Sequence, residues 1–349
     1  MLTKKRILVT GGTGSLGKVL VRRLLSGELG IPEKIIVFSR DEAKQHEMRL
    51  AHQRLAAATD EVIYHNFEQL LQFHIGDVRD YRSINSVLHN IDIVFNAAAL
   101  KQVPTCEYFP FEAVQTNIIG AENIIRAICE LRLPIETVVG ISTDKACKPV
   151  NVMGMSKAIQ ERILIRANLD RPDTRYICVR YGNVLASRGS VIPLFHEQIR
   201  RGGPVTITTP EMTRFLLSLD QAVDTIFFAL KQANRGEIFV PKVPSARIAE
   251  IASILIGDRS IKTVVIGIRS GEKLHEILIS EEEAHRTREG VNNYVIMPVL
   301  PELQFFEAIE KPLEKEYSSA DNIMPKNKLA DLLKKNKLML EDNPLFEKD

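Results

Sequence analysis

The sequence has few cysteines, no excess of either charge and no long apolar run. Its four cysteines form no Cys-x-x-Cys pair and no Cys/His spacing of the kind that binds metal; they are Cys106, Cys129, Cys147 and Cys178. We therefore expect reduced, mostly buried thiols and no metal site. The formal net charge is only +2, so composition gives no reason to expect a nucleic-acid or membrane partner.

A run of about 18 apolar residues, the length of a membrane-spanning helix, does not occur in the sequence. The first residues, MLTKKR, lead directly into a predicted strand and contain no apolar stretch typical of a signal peptide. Internal repeats and low-complexity tracts are also missing. Together with the unpaired cysteines, these absences predict a cytoplasmic protein.

What the sequence does have is ordinary globular composition, with 45% hydrophobic and 26% charged residues. Apolar runs alternate with helical patterns in the first half, and helices are predicted at 17–25, 116–131 and 155–167. Strands are predicted at 6–10, 34–38, 71–75, 91–97, 136–141 and 176–180. This alternation predicts an α/β fold, a doubly wound parallel sheet of Rossmann type. Such a sheet binds its ligand beyond the carboxyl ends of its strands.

A glycine-rich stretch, TGGTGSLG at 10–17, follows the first predicted strand and opens the first predicted helix. In a dinucleotide site, Gly11 permits the tight turn, Gly14 lets the backbone approach a pyrophosphate, and Gly17 lets the helix lie against the strand. The helix N-terminus then offers N–H groups and a positive dipole end to the phosphates. We therefore expect a dinucleotide here; besides the three glycines, its contacts are Thr13, Ser15 and Leu16.

The choice of dinucleotide depends on the end of the second strand. An NAD site usually has an acid there for the ribose 2′-hydroxyl, whereas this chain has Ser39 followed by Arg40. A hydroxyl beside a guanidinium suits a 2′-phosphate and favours NADP over NAD, unless Arg40 only pairs with a surface acid. Asp77 is expected at the adenine amino group, next to Val78. The small side chains of Ala97, Ala98 and Ala99 would let the cofactor lie close.

The pattern changes beyond residue 180, where proline and glycine become frequent and the elements short. We predict an NADP-binding Rossmann domain at 1–185, to which 218–241 returns through a helix. A smaller mixed α/β substrate lobe would comprise 186–217 and 242–349, ending in a peripheral helix and a loose tail. Residues 41–69 are charged, alanine-rich and longer than a crossover needs, and they indicate either an extra surface helix or an oligomer contact.

Several motifs occur in the order found in extended short-chain dehydrogenases. They are the glycine stretch, GDV at 76–78, NAAA at 96–99, AALKQVP at 98–104, STDKA at 142–146, RYGNV at 180–184 and MTRF at 212–215. Over roughly residues 4–298 the chain resembles the UDP-N-acetylglucosamine 4,6-dehydratases of bacterial surface-glycan synthesis. Within that family it is similar to the soluble, inverting, carbon-5-epimerising branch, the CapE type of capsule and surface-polysaccharide (lipopolysaccharide) enzyme.

The resemblance implies a closed redox cycle on UDP-N-acetylglucosamine, with a tightly bound NADP that is recycled. Hydride leaves carbon 4 of the sugar, water is eliminated across carbons 5 and 6, and hydride returns to carbon 6. Lys145 is implied as the carbon-5 base and Asp144 as the acid for the leaving hydroxyl, beside Thr143. Lysine can act as a base only if its pKa is depressed, which burial near Lys157 and a cationic nicotinamide would achieve. Without the resemblance, Asp144 and Lys145 could equally be a structural ion pair.

One position departs from the superfamily signature Tyr-x-x-x-Lys. The corresponding stretch is MGMSK at 153–157, so Met153 stands in the tyrosine place before Lys157. Some dehydratases of this group share the methionine form. A thioether cannot take the proton of the carbon-4 hydroxyl, which leaves Asp144, or a water relayed through Lys157 and the nicotinamide ribose, as the base.

The remaining candidates are polar residues that suit a nucleotide diphosphate. Asn183 is expected at the pyrophosphate, and Arg188, Arg214 and Arg269 are candidates for clamping phosphate. RSGE at 269–272 resembles the superfamily stretch in which Arg269 would meet phosphate and Glu272 the uridine ribose. TIT at 206–208 resembles the strand beside the uracil. Further expected contacts are Lys101 and Asn117 near the cofactor, and Lys101, Val191, Thr206 and Thr208 near the substrate.

Two other functions stay open at this point. A UDP-sugar 4-epimerase has the same fold and cofactor, but it normally needs the tyrosine that Met153 replaces and no Asp-Lys pair for elimination. A non-catalytic NADP-binding scaffold is the third reading, suggested only by the missing tyrosine. The resemblance also implies a homo-oligomer, either a hexamer or a dimer.

Overall fold

The computed structural model describes residues 1–54, 67, 69–185, 190–304, 312–342 and 344. Within these ranges, none of the helices is both long and apolar enough to cross a membrane. The strands are β1 Arg6–Thr10, β2 Lys34–Ser39, β3 Leu71–Ile75, β4 Ile93–Asn96, β5 Thr137–Ile141, β6 Arg175–Val179, β7 Asn183–Val184, β8 Val205–Ile207, β9 Thr213–Leu217, β10 Ile238–Pro241, β11 Ser245–Arg247, β12 Thr263–Val265, β13 Ile277–Ile279, β14 Thr287–Glu289, β15 Asn293–Ile296 and β16 Tyr317–Ser318.

Helices alternate with these strands through the first half of the chain and become shorter later. They are α1 Ser15–Leu25, α2 Glu42–Arg54, α3 Tyr81–Leu88, α4 Val103–Tyr108, α5 Pro110–Ala113, α6 Gly120–Glu130, α7 Val152–Asp170, α8 Val191–Arg200, α9 Leu219–Gln232, α10 Ile248–Ile256, α11 Glu281–Ala284 and α12 Lys326–Lys335. One π-helical turn, Val114–Ile119, joins α5 to α6.

Among the described residues, nine strands form one large sheet in the order β14-β15-β10-β6-β5-β4-β1-β2-β3. Neighbours from β3 to β10 are parallel, and β15 runs antiparallel to both β10 and β14. Leu8 of β1 lies fully buried between Ile36 and Val94 of the flanking strands. A parallel sheet covered on both faces needs such continuous apolar runs. The predicted Rossmann-type sheet and its six strands are therefore confirmed.

Element ends differ from the sequence prediction where side chains cap the backbone. The fourth strand begins at Ile93 instead of 91, because the Asp92 carboxylate accepts a hydrogen bond from the Arg6 N–H at 2.7 Å. Helix α7 begins at Val152, earlier than predicted, because Asn151 caps it by accepting from the Gly154 N–H at 2.8 Å. Capping side chains of this kind satisfy N–H groups that have no partner inside the helix.

Helix α9 returns to the first helix, as predicted for residues 218–233. Arg22 and Arg23 of α1 form ion pairs of 2.8 and 2.6 Å with Asp220 and Asp224 of α9. The Arg23 guanidinium also lies 5.2 Å above the ring of Phe227. These contacts hold α9 beside α1. The segment after β9 therefore packs again on the helix that follows the glycine turn.

A second hydrophobic cluster forms away from the large sheet. Phe195 of α8, Ile251 of α10, and Leu329 and Leu333 of α12 are fully buried in it. The predicted peripheral helix is present as α12, and its apolar face completes this cluster. The loose tail predicted beside it does not describe residues 312–342, because β16 there pairs with β13. Residues 242–349, predicted as part of the substrate lobe, also supply β14 and β15 to the large sheet. There β15 pairs with β10, which would otherwise be an edge strand. The division into two domains stays a prediction.

Helix α2 lies within the unusual segment 41–69. Gln45 of α2 donates to the carbonyls of Ser39 at 2.8 Å and His74 at 3.0 Å, which joins the carboxyl ends of β2 and β3. The helix predicted there is confirmed over Glu42–Arg54, whereas residues 55–66 and 68 lie outside the described part of the chain. Whether this segment is only a surface helix or an oligomer contact stays open.

A fully buried arginine joins four parts of the chain. Arg180, just after β6, donates to both carboxylate oxygens of Glu161 on α7 at 3.0 and 2.6 Å, and to both of Glu283 on α11 at 2.7 and 3.0 Å. It also donates to the Leu278 carbonyl at 2.8 Å, and Ser142 donates to Glu161 at 2.5 Å. Burial raises the pKa of Glu283, but the Arg180 charge lowers it more, to about 2.

Replacing this arginine should destabilise the fold strongly. Arg180→Met keeps most of the side-chain volume but leaves Glu161 buried without its cation and Glu283 with Arg286 alone, so the free energy of unfolding should fall by about 3–5 kcal/mol. Urea denaturation followed by circular dichroism measures the change. Arg166→Met on α7 is the control, because Arg166 is exposed and forms a surface ion pair with Asp170. Its effect should stay below about 0.5 kcal/mol, and equal losses in the two variants would contradict the importance of the buried network.

Candidate active site

The glycine turn after β1 has the geometry that a dinucleotide requires. Gly11 has a φ of +66°, and a Cβ atom there would lie 2.7 Å from the Ala98 nitrogen. A Cβ atom on Gly17 would lie 2.5 Å from the Gly12 Cα, so only glycine lets α1 approach the turn. Gly14 is the N-cap residue of α1 and has no side chain above the first turn. The residues present therefore fit a pyrophosphate at the N-terminus of α1.

Side chains at the ends of β2 and β3 line the place expected for the adenosine. The Thr13 and Ser39 hydroxyls lie 3.0 Å apart, and Arg40 is mostly exposed, 3.8 Å from the Asp77 carboxylate. Arg79, which the sequence reasoning missed, pairs with Asp77 at 2.7 Å. Burial raises the pKa of Asp77, but the two arginines outweigh burial and hold that pKa below its usual range. The sequence signal for Arg79 was only its place after the GDV motif.

The loop after β4 is held in place by Asn117 of the π-helical turn. The Asn117 amide accepts from the Leu100 N–H at 2.8 Å and donates to the Leu100 carbonyl at 3.0 Å and the Ser156 hydroxyl at 2.9 Å. Asn117 is fully buried, and its amide fixes the loop and α7. Its direct contact with the cofactor stays a prediction. Lys101, in the same loop, is exposed.

The other small residues near the turn pack closely, as expected. The Ala97 and Ala98 N–H groups donate to the Thr10 carbonyl at 3.2 Å and its hydroxyl at 3.3 Å. Val78 is buried, and a Cβ atom on Gly120 of α6 would lie 2.8 Å from its side chain. Val78 therefore supports the floor of the adenosine region from inside the core.

Asp144 and Lys145 lie on a 3-10 turn directly after β5, at the carboxyl edge of the sheet. The Lys145 Nζ donates to the Asp144 Oδ1 at 3.1 Å, and the Thr143 hydroxyl donates to the same oxygen at 2.9 Å. The Asp144 N–H donates to the Tyr181 carbonyl at 3.0 Å, which holds the turn against the end of β6. Asp144 is fully buried, and its Oδ2 has no hydrogen-bond partner among the described residues.

A second carboxylate, which the sequence reasoning missed, meets the same lysine. The Glu276 Oε1 lies 3.3 Å from the Lys145 Nζ and 3.8 Å from the Arg214 Nε. Its sequence signal was weak, a single acid directly before the apolar strand β13. The structure therefore joins Asp144, Lys145, Glu276 and Arg214 in one buried charge cluster.

This cluster changes the expected ionisation of the two lysines. Burial lowers the pKa of Lys145, but Asp144 and Glu276 raise it by more, so the net shift is upward. The prediction of a depressed pKa at Lys145 is wrong for this arrangement, because the sequence showed one neighbouring carboxylate and the fold supplies two. Burial instead lowers the pKa of Lys157 to about 8. The Lys157 Nζ donates to the Ile141 carbonyl and to the Gln160 side chain.

Met153 lies in a small apolar cluster on the first turn of α7. It is 5% exposed and packs with Cys106 and Ala113, and Leu100 and Val103 cover the cluster. The thioether therefore fills an apolar gap at the place where a tyrosine would present a hydroxyl. The next residue, Gly154, sits so close to the turn of Asp144 and Lys145 that a Cβ atom would lie 2.2 Å from the Lys145 carbonyl oxygen.

The candidate nucleotide residues form a second group beyond β8. The Thr208 hydroxyl donates to Glu272 at 3.5 Å, and the Arg269 N–H donates to the same carboxylate at 3.4 Å. The Arg269 side chain is exposed, as expected for a phosphate ligand. By contrast, the Thr206 hydroxyl accepts from Gln198 of α8 at 2.8 Å and therefore supports the lobe.

The remaining candidates fall into different environments. The Asn183 Oδ1 is buried and has no hydrogen-bond partner among the described residues. Its contact with a pyrophosphate stays a prediction. Val191 is half-buried at the first position of α8. Arg188 belongs to residues 186–189, which lie outside the described part of the chain.

The fold and the glycine turn define the class of the protein. A doubly wound parallel sheet, a glycine turn at the N-terminus of α1 and an Asp-Lys pair after β5 together make it an extended short-chain dehydrogenase/reductase. Within that class, the chain belongs to the family described as "Polysaccharide biosynthesis protein", whose model matches residues 7–298.

Individual relatives agree with this membership. The solved structure of Pen from Bacillus thuringiensis is 33% identical with a TM-score of 0.84, and the match covers 97% of this chain and 99% of that one. A Rickettsia conorii protein named "UDP-glucose 4-epimerase" is 44% identical over 304 residues, 86% of this chain and 84% of that protein. DesIV from Streptomyces venezuelae, a dTDP-glucose 4,6-dehydratase, shares the fold at 22% identity and a TM-score of 0.64, over 77% of this chain and 86% of its own.

The glycine turn makes a prediction that separates binding from folding. Gly14 has a φ of −76°, and a Cβ atom there would contact only the Gly11 carbonyl oxygen at an ordinary 3.4 Å. Gly14→Ala should therefore fold normally but weaken dinucleotide binding about tenfold or more, because the added methyl occupies the approach of the pyrophosphate. Calorimetric titration with NADP and thermal unfolding measure the two effects. Gly17→Ala is the contrast and should lose stability as well; unchanged binding in Gly14→Ala would contradict the site.

Proposed function

We propose that the protein is an inverting 4,6-dehydratase of UDP-N-acetylglucosamine that acts in surface-polysaccharide synthesis. The observation that carries the proposal is the Asp144–Lys145 pair, buried at the carboxyl edge of the sheet, 3.1 Å apart. Elimination of water across two neighbouring carbons needs one base and one acid side by side. The apolar packing of Met153 supports the same reaction, because the position offers no hydroxyl for simple carbonyl chemistry.

The hydrogen bond between Lys145 and Asp144 can generate both catalytic forms at once. Transfer of one proton from the Lys145 ammonium to the Asp144 carboxylate converts the ion pair into an amine and a carboxylic acid. The amine can then remove the carbon-5 proton, while the acid protonates the departing 6-hydroxyl as water. These two steps restore the ion pair, so protons balance over the cycle. Because the pKa of Lys145 is raised, its amine is scarce in the resting protein, and the proposed mechanism requires the base to be formed by proton transfer in the reacting complex.

The Asp144 carboxylate is oriented for this role. Its Oδ1 accepts from Thr143 and Lys145, whereas its Oδ2 is buried without a partner among the described residues. A buried oxygen of this kind requires a polar partner, and a sugar hydroxyl supplies one. Because Met153 cannot serve as the carbon-4 base, we propose that Asp144 or a water held by Lys157 takes that proton. Inversion at carbon 5 then requires reprotonation from the opposite face of the sugar.

The cofactor we propose is a tightly held nicotinamide dinucleotide, which supplies a hydride acceptor and donor at the sugar. Several solved structures of the same fold were determined with NAD, among them DesIV. Ser39 and the exposed Arg40 guanidinium support NADP in this chain, because no acid ends β2 to hold a ribose 2′-hydroxyl. Lys101 and Lys157 are proposed on the nicotinamide side.

At the nucleotide end, we propose that Arg214, Arg269 and Arg188 bind the diphosphate together with Asn183. Thr208 and Glu272 would meet the uridine, beside Thr206 and Val191. Support comes from the close grouping of Thr208, Arg269 and Glu272 and from the buried position of Arg214 next to the catalytic cluster. We also propose a homo-oligomer.

A UDP-sugar 4-epimerase is the second candidate, and the names of relatives favour it. Proteins named "UDP-glucose 4-epimerase" from several Rickettsia species are 42–44% identical over most of this chain. A reversible oxidation at carbon 4 would use the same fold. It would leave the buried Asp144–Lys145–Glu276 cluster without a task, and therefore the dehydratase is preferred.

The product formed from UDP-N-acetylglucosamine in heavy water distinguishes the candidates. Proton NMR should show a new 6-methyl signal with deuterium at carbon 5, because elimination passes through a carbanion at that carbon. The ring couplings should be those of the inverted sugar. Formation of the galacto isomer without a methyl signal would establish the epimerase instead, and dinucleotide binding without any turnover, also on UDP-glucose, would favour a scaffold.

Removal of either catalytic group should stop dehydration. Lys145→Ala and Asp144→Asn should each lower kcat by about 10²- to 10⁴-fold, because the base or the acid is lost. The initial rate of 6-methyl formation measures this. Lys148→Ala is the matched control: it lies on the same segment but pairs with Glu316 at the surface. It should stay within about twofold of wild type, and an equal loss there would show that any change in this segment disturbs the site.

A further inference from the structure

Glu276 has no role in the reaction as proposed so far, yet it is among the most buried acids of the described chain. It is 2% exposed and sits directly before β13. One of its oxygens, Oε1, is shared between the Lys145 ammonium at 3.3 Å and the Arg214 guanidinium at 3.8 Å. A carboxylate taken out of water at this depth is costly unless cations compensate it. Glu276 is therefore specifically paired with the two candidate site residues.

The backbone of Glu276 is rigidly held from the C-terminal side. Its N–H donates to the Ser319 hydroxyl at 2.9 Å, and its carbonyl accepts from the Ser319 N–H at 2.8 Å. The same hydroxyl lies 2.7 Å from that of Thr213, the residue before Arg214. Arg214 itself donates to the Thr213 carbonyl at 2.7 Å and to that of Leu274 at 3.2 Å. Three segments thus hold Glu276 and Arg214 in one orientation.

The charges around Lys145 come from every segment packed on it. Asp144 lies on its own turn, Glu276 precedes β13, Arg214 is on β9, and Lys273 approaches from the preceding loop. Asp144 belongs to the reacting pair, and two of the others are cations that oppose the charge of Lys145. Among these neighbours, Glu276 is the one acid not already assigned to a catalytic step. Its Oε2 is buried and has no hydrogen-bond partner among the described residues.

We propose that Glu276 is a positioning residue, which holds Lys145 and Arg214 from one carboxylate and so joins the sugar end of the site to its diphosphate end. The inference rests on the proposed function for the roles of these two partners. The shared carboxylate of Glu276 would have two effects. It keeps the Lys145 nitrogen within reach of Asp144, and it sets how readily Lys145 gives up its proton.

The charge of Glu276 can be tested without turnover. Competitive labelling with acetic anhydride across a pH series, read by mass spectrometry of the Lys145 peptide, gives the pH midpoint at which that amine becomes reactive. Glu276→Gln keeps the size of the side chain but removes its charge, so the midpoint should fall by about one pH unit or more. Glu276→Asp retains the charge and should stay nearer to wild type.

A matched control is available at the amino ends of the parallel strands, whereas Asp144 and Lys145 lie at the carboxyl ends. Glu237 precedes β10, is fully buried and lies 3.6 Å from Arg288. Glu237→Gln removes an equally buried charge far from the candidate site and should leave the Lys145 midpoint unchanged. If Glu276→Gln also leaves the midpoint unchanged, or if both variants shift it equally, the proposal is overturned.

The reaction itself provides a second readout. In the pH profile of kcat/KM for 6-methyl formation, which reports the free enzyme as the labelling does, the limb that reports the base should move to lower pH in Glu276→Gln, in step with the labelling midpoint. A shifted midpoint with an unmoved limb would overturn the positioning role. If wild-type protein forms no 6-methyl product at all, the proposed dehydratase fails, whereas the labelling series still decides whether Glu276 controls Lys145.

Discussion

Arg180 can be buried at the end of β6 only if both Glu161 and Glu283 accompany it, because an unpaired charge at that depth would be prohibitively costly. That requirement connects α7 and α11 to the carboxyl edge of the sheet. Tyr181, the next residue, accepts the hydrogen bond that holds the Asp144 turn. The candidate active site is thus built on a polar core that must assemble as a whole, and its geometry depends on that assembly.

The parallel part of the sheet was predictable because the residues of each strand show the pattern that marks it, without reference to distant parts of the chain. Strands β1, β4, β5 and β6 are apolar runs bounded by turn residues, and they are almost entirely buried. The C-terminal part was not, since β14, β15 and β16 have only two to four residues each. In addition, β15 and β16 pair with β10 and β13, which lie far away in the sequence. Likewise, the peripheral helix was predicted, but the burial of Leu329 and Leu333 on α12 was not, because it depends on the cluster that these residues complete.

The candidate site shows the same limit at the level of single residues. Gly11 and Gly17 were readable because a turn and a close approach demand glycine wherever they occur. Asp144 and Lys145 were readable as neighbours in the chain. Glu276 was not, because its meeting with Lys145 spans 131 residues and no local pattern marks it. The direction of the Lys145 pKa shift was missed for the same reason, since it depends on a charge that only the fold brings near.

Ser319 bonds the backbone of Glu276 and the hydroxyl of Thr213, although it lies well beyond residue 298, where the family match ends. This has a consequence for synthesis on the ribosome. A nascent chain that has emerged only to about the end of β15 can already form the parallel sheet and close the glycine turn. Its charge cluster still lacks the segment that fixes Glu276. The glycine turn can therefore form before the last part of the chain is translated, whereas the charge cluster around Lys145 is completed only after it.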